Sequence, residues 1–145
     1  MNLIQEIKNA WGWNGIDPVN IVGENDFGNL IIEDSQARYW RLCPEETTCE
    51  IVAKNRKELD VLSTDQEFLH DWYMKTLVDQ AKEKLGNLDD GYKYHLVTCA
   101  ILGGAYDISN IEKAPLVELI RLSGDIGLQI KDLPDGTSIE LKVVD

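Results

Sequence analysis

The side chains that could do chemistry in this chain are two histidines, three cysteines and 26 acidic residues. His70 falls beside Asp71 and Trp72, and His95 falls in an apolar stretch. Neither has a second histidine at metal-ligand spacing on its own element, so packing or surface roles are expected for both, rather than acid–base work. Cys43, Cys49 and Cys99 are an odd set with no C-x-x-C spacing. That usage suits a reducing compartment and argues against a disulfide framework or a zinc site. Adjacent carboxylates occur at Glu33-Asp34, Glu45-Glu46 and Asp89-Asp90. Neighbours on a strand point to opposite faces, so such pairs make no shared acid–base dyad, and none has the spacing of a calcium loop. Gly103-Gly104 lacks the phosphate-loop patterns and reads as a tight turn or a close backbone approach. Asp107, just after it, is the carboxylate left for an unrecognised hydrolytic site. No catalytic, cofactor-binding or metal-binding residue is expected, and the chain reads as a non-enzyme.

Charge is the stronger signal. Fourteen basic residues against 26 acidic ones leave −12 over 145 residues. Such a surface repels nucleic-acid phosphates and anionic lipid, and steers a positively charged partner inward. The only basic cluster, Lys54, Arg56 and Lys57, reads as a solvated connection. No window approaches the roughly 20 apolar residues of a membrane span. The N-terminus has no basic stretch followed by an apolar run, so a cytoplasmic location is expected.

The elements that would position these groups follow from periodicity. Residues 2–11 read as a helix capped by Asn2, with Leu3, Ile7, Ala10 and Trp11 on one face. Gly12 and Gly15 end it, with Trp13 closing over its end. Asp17-Pro18 starts an extended passage. Residues 28–34, 37–42 and 47–53 read as three strands of an antiparallel meander, with adjacent Trp40 and Arg41 facing opposite ways. Residues 54–63 are a polar connection. Thr64-Asp65-Gln66-Glu67 has the form of a capping box opening one long helix that ends at Gly86. Residues 92–100 read as a strand. Pro115 opens a further helix carrying Leu116, Leu119, Ile120, Ile126 and Ile130. Its Gly124 and Gly127 imply either a neighbouring backbone packed closely or a break. A last strand alternates Ile139, Leu141 and Val143 with polar residues. The sum is an α+β fold: small antiparallel sheet regions packed with about three helices around one shared core. The connection at 54–63 is a boundary between regions 1–55 and 56–145, which together form one compact domain or two lobes.

Gly28-Asn29-Leu30-Ile31, Tyr39-Trp40-Arg41-Leu42-Cys43-Pro44-Glu45-Glu46 and Cys49-Glu50 resemble the GAD-like region of a type VI secretion immunity family. Downstream, Leu102-Gly103-Gly104-Ala105-Tyr106, Asn110, Ser123-Gly124-Asp125, Gln129-Ile130 and Leu133-Pro134-Asp135-Gly136 resemble that family's C-terminal domain. The resemblance implies a cytoplasmic immunity protein that binds a cognate nuclease toxin, needs no cofactor and catalyses nothing. An acidic protein suits that task, because a nuclease presents a positive cleft. Exposed polar positions are then the expected partner-binding residues: Asp26 before a strand, Glu45 and Glu46 in a connection, Asp89 and Asp90 after a helix. Plain solvated surface is the competing reading for each. An adaptor or regulatory module with a different protein target is the alternative function.

Overall fold

The computed structural model describes residues 2–133. Helix α1 (Leu3–Trp11) starts where Asn2 Oδ1 accepts from the Gln5 N–H at 3.3 Å. A 3-10 turn (Gly12–Asn14) leads into β1 (Pro18–Glu24), β2 (Leu30–Asp34), β3 (Tyr39–Cys43) and β4 (Thr48–Ala53). These four strands form one antiparallel sheet in sequential order. Then come α2 (Arg56–Leu62), α3 (Gln66–Tyr73), α4 (Lys75–Leu85), β5 (Tyr92–Leu96), β6 (Ile111–Pro115) and α5 (Leu116–Ile130), with β5 and β6 paired antiparallel. The architecture is α+β.

The four-stranded sheet is covered on both sides, which explains why β2 is apolar at successive positions. Leu30 and Ile32 join Trp40 and Leu42 against Ile7 and Trp11 of α1 and Leu116 and Ile120 of α5. Ile31, on the opposite face, packs with Tyr39, Ala53, Leu59 of α2 and Trp72 of α3. Phe27, Val78, Ala81, Tyr94, Leu96 and Ile111 make another cluster, between α4 and the β5–β6 pair. The cluster around Trp11 therefore draws side chains from both 1–55 and 56–145.

The β2–β3 turn is organised by a buried carboxylate. Asp34, 2% exposed, accepts from the Gln36 and Arg38 N–H groups at 2.9 Å each, from Arg38 Nε at 2.8 Å and from Trp40 Nε1 at 2.9 Å. Burial alone would raise its pKa, but the Trp40 and Arg38 donors together outweigh it and hold the carboxyl below its ordinary value. Ala37 completes the turn at φ 59°, which is why β3 begins at Tyr39 and not at the expected residue 37.

Other differences from expectation have local causes. Residues 54–63 hold α2, since Asn55 Oδ1 caps it by accepting from Glu58 N–H at 2.9 Å and Leu59 is buried. The anticipated capping box is shifted: Asp65 caps α3, while the Thr64 hydroxyl donates to the Val61 carbonyl. The single long helix breaks at Met74, which takes φ 47°. This lets α3 and α4 serve different core clusters and brings the α-helices to five among the described residues, not about three. The expected strand at 92–100 stops at Leu96 and pairs with β6. The strand expected around Ile139, Leu141 and Val143 lies outside the described residues.

Helices α1 and α5 touch at backbone distance. A Cβ on Gly124 would lie 2.4 Å from the Ala10 carbonyl oxygen and 2.7 Å from the Ala10 Cβ. Around this contact Trp11 Nε1 donates to Ser123 Oγ at 3.3 Å, Trp13 Nε1 donates to the Gly124 carbonyl at 3.2 Å, and Arg121 grips Glu6 with two bonds of 2.8 Å. The close-packing reading of Gly124 is the one that holds; the helix runs through it unbroken. At the Gly103-Gly104 turn both expected causes operate: Gly103 has φ 91°, and a Cβ on Gly104 would overlap the Thr98 carbonyl.

Two outcomes follow. Gly124→Ala gains about 1 kcal/mol of helix propensity but must separate the helices, and overpacking typically costs more. A net loss of about 1–2 kcal/mol is expected in denaturant titration. Asp34 has a depressed folded pKa, so its contribution is present above its unfolded value of about 3.9 and is lost as pH falls through the folded value. Thermal melts should show that acid loss in the parent and a flatter acid limb in Asp34→Asn.

Candidate functional site

A cleft of about 520 Å³ opens beside β3 and β4, lined by Arg41, Glu45, Glu46, Glu50, Asp71 and Tyr106 among others. Strand pairing sets Arg41 directly opposite Glu50, so both project from the same face of the sheet. The 3-10 turn Pro44–Glu46 continues β3 and contributes the glutamates; α3 contributes Asp71.

The cation in this cleft is already committed. Arg41 donates through Nε and Nη2 to Asn29 Oδ1 at 3.1 and 2.9 Å, and through Nη1 to Asp71 Oδ2 at 2.8 Å. Its guanidinium also lies 5.2 Å from the Trp72 ring centre and 5.7 Å from that of Phe68. Asn29 is fully buried, and its amide nitrogen donates to both Glu45 oxygens at 2.9 Å. A continuous polar chain thus runs Asp71–Arg41–Asn29–Glu45 from surface to interior. Exposed Glu46 accepts from the Tyr106 hydroxyl across the mouth of the cleft.

Several ionisable groups in and around this cleft are shifted by burial and by internal partners. Burial pushes the Glu45 carboxyl above its usual range, with the Asn29 donors offsetting part of that cost. Burial, then neighbouring Glu45, pushes the Cys43 thiol well up, and burial pushes Cys49 up to about 12. Both shifts disfavour the thiolate that nucleophilic chemistry needs. Burial lowers the pKa of His95, and His70 is exposed on α3. Asp107 is tied into its own turn, accepting from the Ser109 N–H and hydroxyl, which lower its pKa. Among the described residues no group of three or more His, Cys, Asp or Glu side chains is placed to hold a metal.

The five expected partner-binding residues are not brought together by one feature. Glu46 is exposed at the cleft. Glu45 is 5% exposed and is not the surface carboxylate that the sequence suggested, because the turn carrying it packs against α5. Asp26 is half-buried in the β1–β2 connection, where its carbonyl accepts from the Tyr94 N–H at 2.9 Å. Asp89 and Asp90 are exposed in the α4–β5 connection, outside the cleft lining. Sequence reasoning missed Glu50, Asp71 and Tyr106. Glu50 was recoverable from the β3–β4 register, given that Arg41 is the outward partner of buried Trp40; Asp71 and Tyr106 depend on tertiary packing.

A raised folded pKa at Glu45 means that its neutral form is favoured on folding. Its contribution is therefore full below the unfolded value of about 4.3 and declines as pH rises through the folded value. In melts taken from pH 4 upward, as an order-of-magnitude range, Glu45→Gln should lose less stability than the parent.

Comparison with known proteins places the chain. No curated protein sequence matches it. Among solved structures, one described as the crystal structure of Atu4351 from Agrobacterium tumefaciens superposes with a TM-score of 0.57 at 16% identity, over 85% of this chain and 62% of that one. At that identity the likeness concerns the fold, and the chain spans less than two thirds of that relative's length. No helix among the described residues is long and apolar enough to cross a membrane. The family described as T6SS immunity protein Tdi1, C-terminal, matches residues 53–127, a stretch that starts at the end of β4 and so does not reach the GAD-like resemblance of the N-terminal part. Half of the chain, from β4 through most of α5, carries that match, and the protein belongs to this family of T6SS immunity proteins.

Proposed function

We propose that this protein is a non-catalytic cytoplasmic inhibitor that binds a cognate type VI secretion DNase effector and covers its basic DNA-binding and active-site surface. The family match supports the immunity role. The observation that carries the blocking mechanism is the −12 charge, together with a cleft whose one arginine is neutralised internally. Glu46 and Glu50 are then left facing outward. A nuclease cleft must attract phosphates, so an acidic surface competes for it and accelerates encounter. Asp26, Asp89 and Asp90 extend the acidic surface in this reading, and Glu45 supports it from beneath.

The test is plasmid cleavage by the effector's nuclease domain with increasing amounts of this protein. Protection complete at one-to-one stoichiometry is the expected result. Cleavage that continues unabated, with no complex on a sizing column, overturns the reading. The double change Glu46→Lys, Glu50→Lys should weaken the complex by roughly tenfold or more, mostly through slower association. Affinity that is indifferent both to these changes and to high salt would remove the electrostatic part while leaving inhibition itself intact.

A further inference from the structure

The polar cleft beside β3 and β4 sets four carboxyl groups, those of Glu45, Glu46, Glu50 and Asp71, against one cation, Arg41. Among the described residues, Asp71 alone of the four is ion-paired, to that arginine. Glu46 accepts from the Tyr106 hydroxyl, a neutral group. Glu50 is exposed on the sheet face that Arg41 shares.

Glu45 is the telling member. It is 5% exposed, and the partner of both its oxygens is the neutral Asn29 amide, not a cation. A buried carboxylate without a counter-ion is severely disfavoured. The turn that carries it also borders an apolar cavity of about 250 Å³ against α5, so the side on which its carboxyl lies matters. Besides Asn29, the other side chains that act on that carboxyl are Cys43 and Arg41. Burial, then Glu46, then Glu45 raise the pKa of Tyr106. Cys43, Arg41 and Tyr106 all line the polar cleft, and none of them lines the apolar cavity. The carboxyl that lacks a counter-ion therefore lies on the cleft side.

The remaining walls suit a long cationic side chain. Val52, Met74 and the ring of Tyr106 form an apolar wall in a cleft of about 520 Å³. Lysine and arginine lay their stems on such surface while the charged head seeks acceptors, and a guanidinium is also attracted to an aromatic face. The acceptors come from the Pro44–Glu46 turn, β4 and α3. A planar fork of five donors can meet several of them at once, whereas an ammonium is a point charge.

We propose that this cleft receives an arginine side chain of the effector, its guanidinium held by Glu46, Glu50 and Asp71 above Glu45 and its stem laid against Tyr106 and Met74. The identity of the donor protein rests on the immunity reading; the preference of the cleft for a guanidinium does not.

The cleft is probed first by titrating Nα-acetyl-arginine amide, its lysine counterpart and its neutral citrulline counterpart into the full chain, followed by heteronuclear NMR. The arginine amide is expected to bind saturably, with a dissociation constant of roughly millimolar order and shifts confined to residues around Arg41, Glu46, Glu50 and Tyr106. The lysine amide should bind about threefold more weakly and the citrulline amide not at all. Glu46→Gln and Glu50→Gln, both at exposed positions, should each weaken the arginine amide by about threefold. No saturable binding to the folded parent overturns the proposal, as does lysine or citrulline binding of equal strength, or binding unchanged when both glutamates are replaced. The donor is then sought by replacing each arginine of the effector's nuclease domain with alanine. One such change should weaken the complex with the parent by roughly tenfold or more, and far less with the double variant Glu46→Gln, Glu50→Gln. A tight inhibitory complex in which no arginine shows that coupling overturns the proposal and leaves the immunity reading standing. No complex at all, with arginine-amide binding intact, overturns the immunity reading and with it the effector as donor.

Discussion

The backbone contact between Ala10 and Gly124 is the constraint on which the rest of this structure depends. It joins the first helix to the last across more than a hundred residues of chain. With α1 and α5 held together, one face of the four-stranded sheet is closed, and Leu30, Ile32 and Leu42 lose their exposure to water. The same placement of α5 gives the Pro44–Glu46 turn something to pack against. That packing drives Glu45 inward and separates the polar cleft on one side of the turn from the apolar cavity on the other.

The second organising feature is electrostatic. A carboxylate and a guanidinium inside a protein interact strongly but lose hydration, and an isolated buried charge is severely disfavoured. The chain from Asp71 through Arg41 and Asn29 to Glu45 resolves this by interposing a neutral amide, which donates at one end and accepts at the other. Stacking of Arg41 on Trp72 and Phe68 adds a further restraint. The sheet is thereby tied to α3 through a polar route as well as through the core cluster around Trp72.

Much of this was legible in the sequence, and the reasons are specific. The strands around Ile31, Trp40 and Val52 announce themselves by β-branched and aromatic residues between turn signals. Gly124 in an otherwise strong helical pattern pointed to either a close approach or a break. What escaped notice was set by tertiary context. Met74 breaks a helix without glycine or proline, because the core clusters on its two sides demand different helix directions. The short helix α2 is mostly charged, with Leu59 its only buried residue, so it offered little apolar periodicity. Glu45 and Glu46 are identical neighbours in sequence, yet one is floor and the other rim, a distinction made by the position of α5.

The buried polar chain also has a consequence for how this protein can change over generations. Replacing any one of Arg41, Asn29 or Glu45 leaves a buried partner with an unmet charge, donor or acceptor in a water-poor setting. These three positions are coupled, and a lineage can alter them only as a set or through a weakened intermediate. Glu46 and Glu50 carry no such obligation to the interior, since their side chains face solvent. Substitutions should accumulate at the rim while the floor stays still.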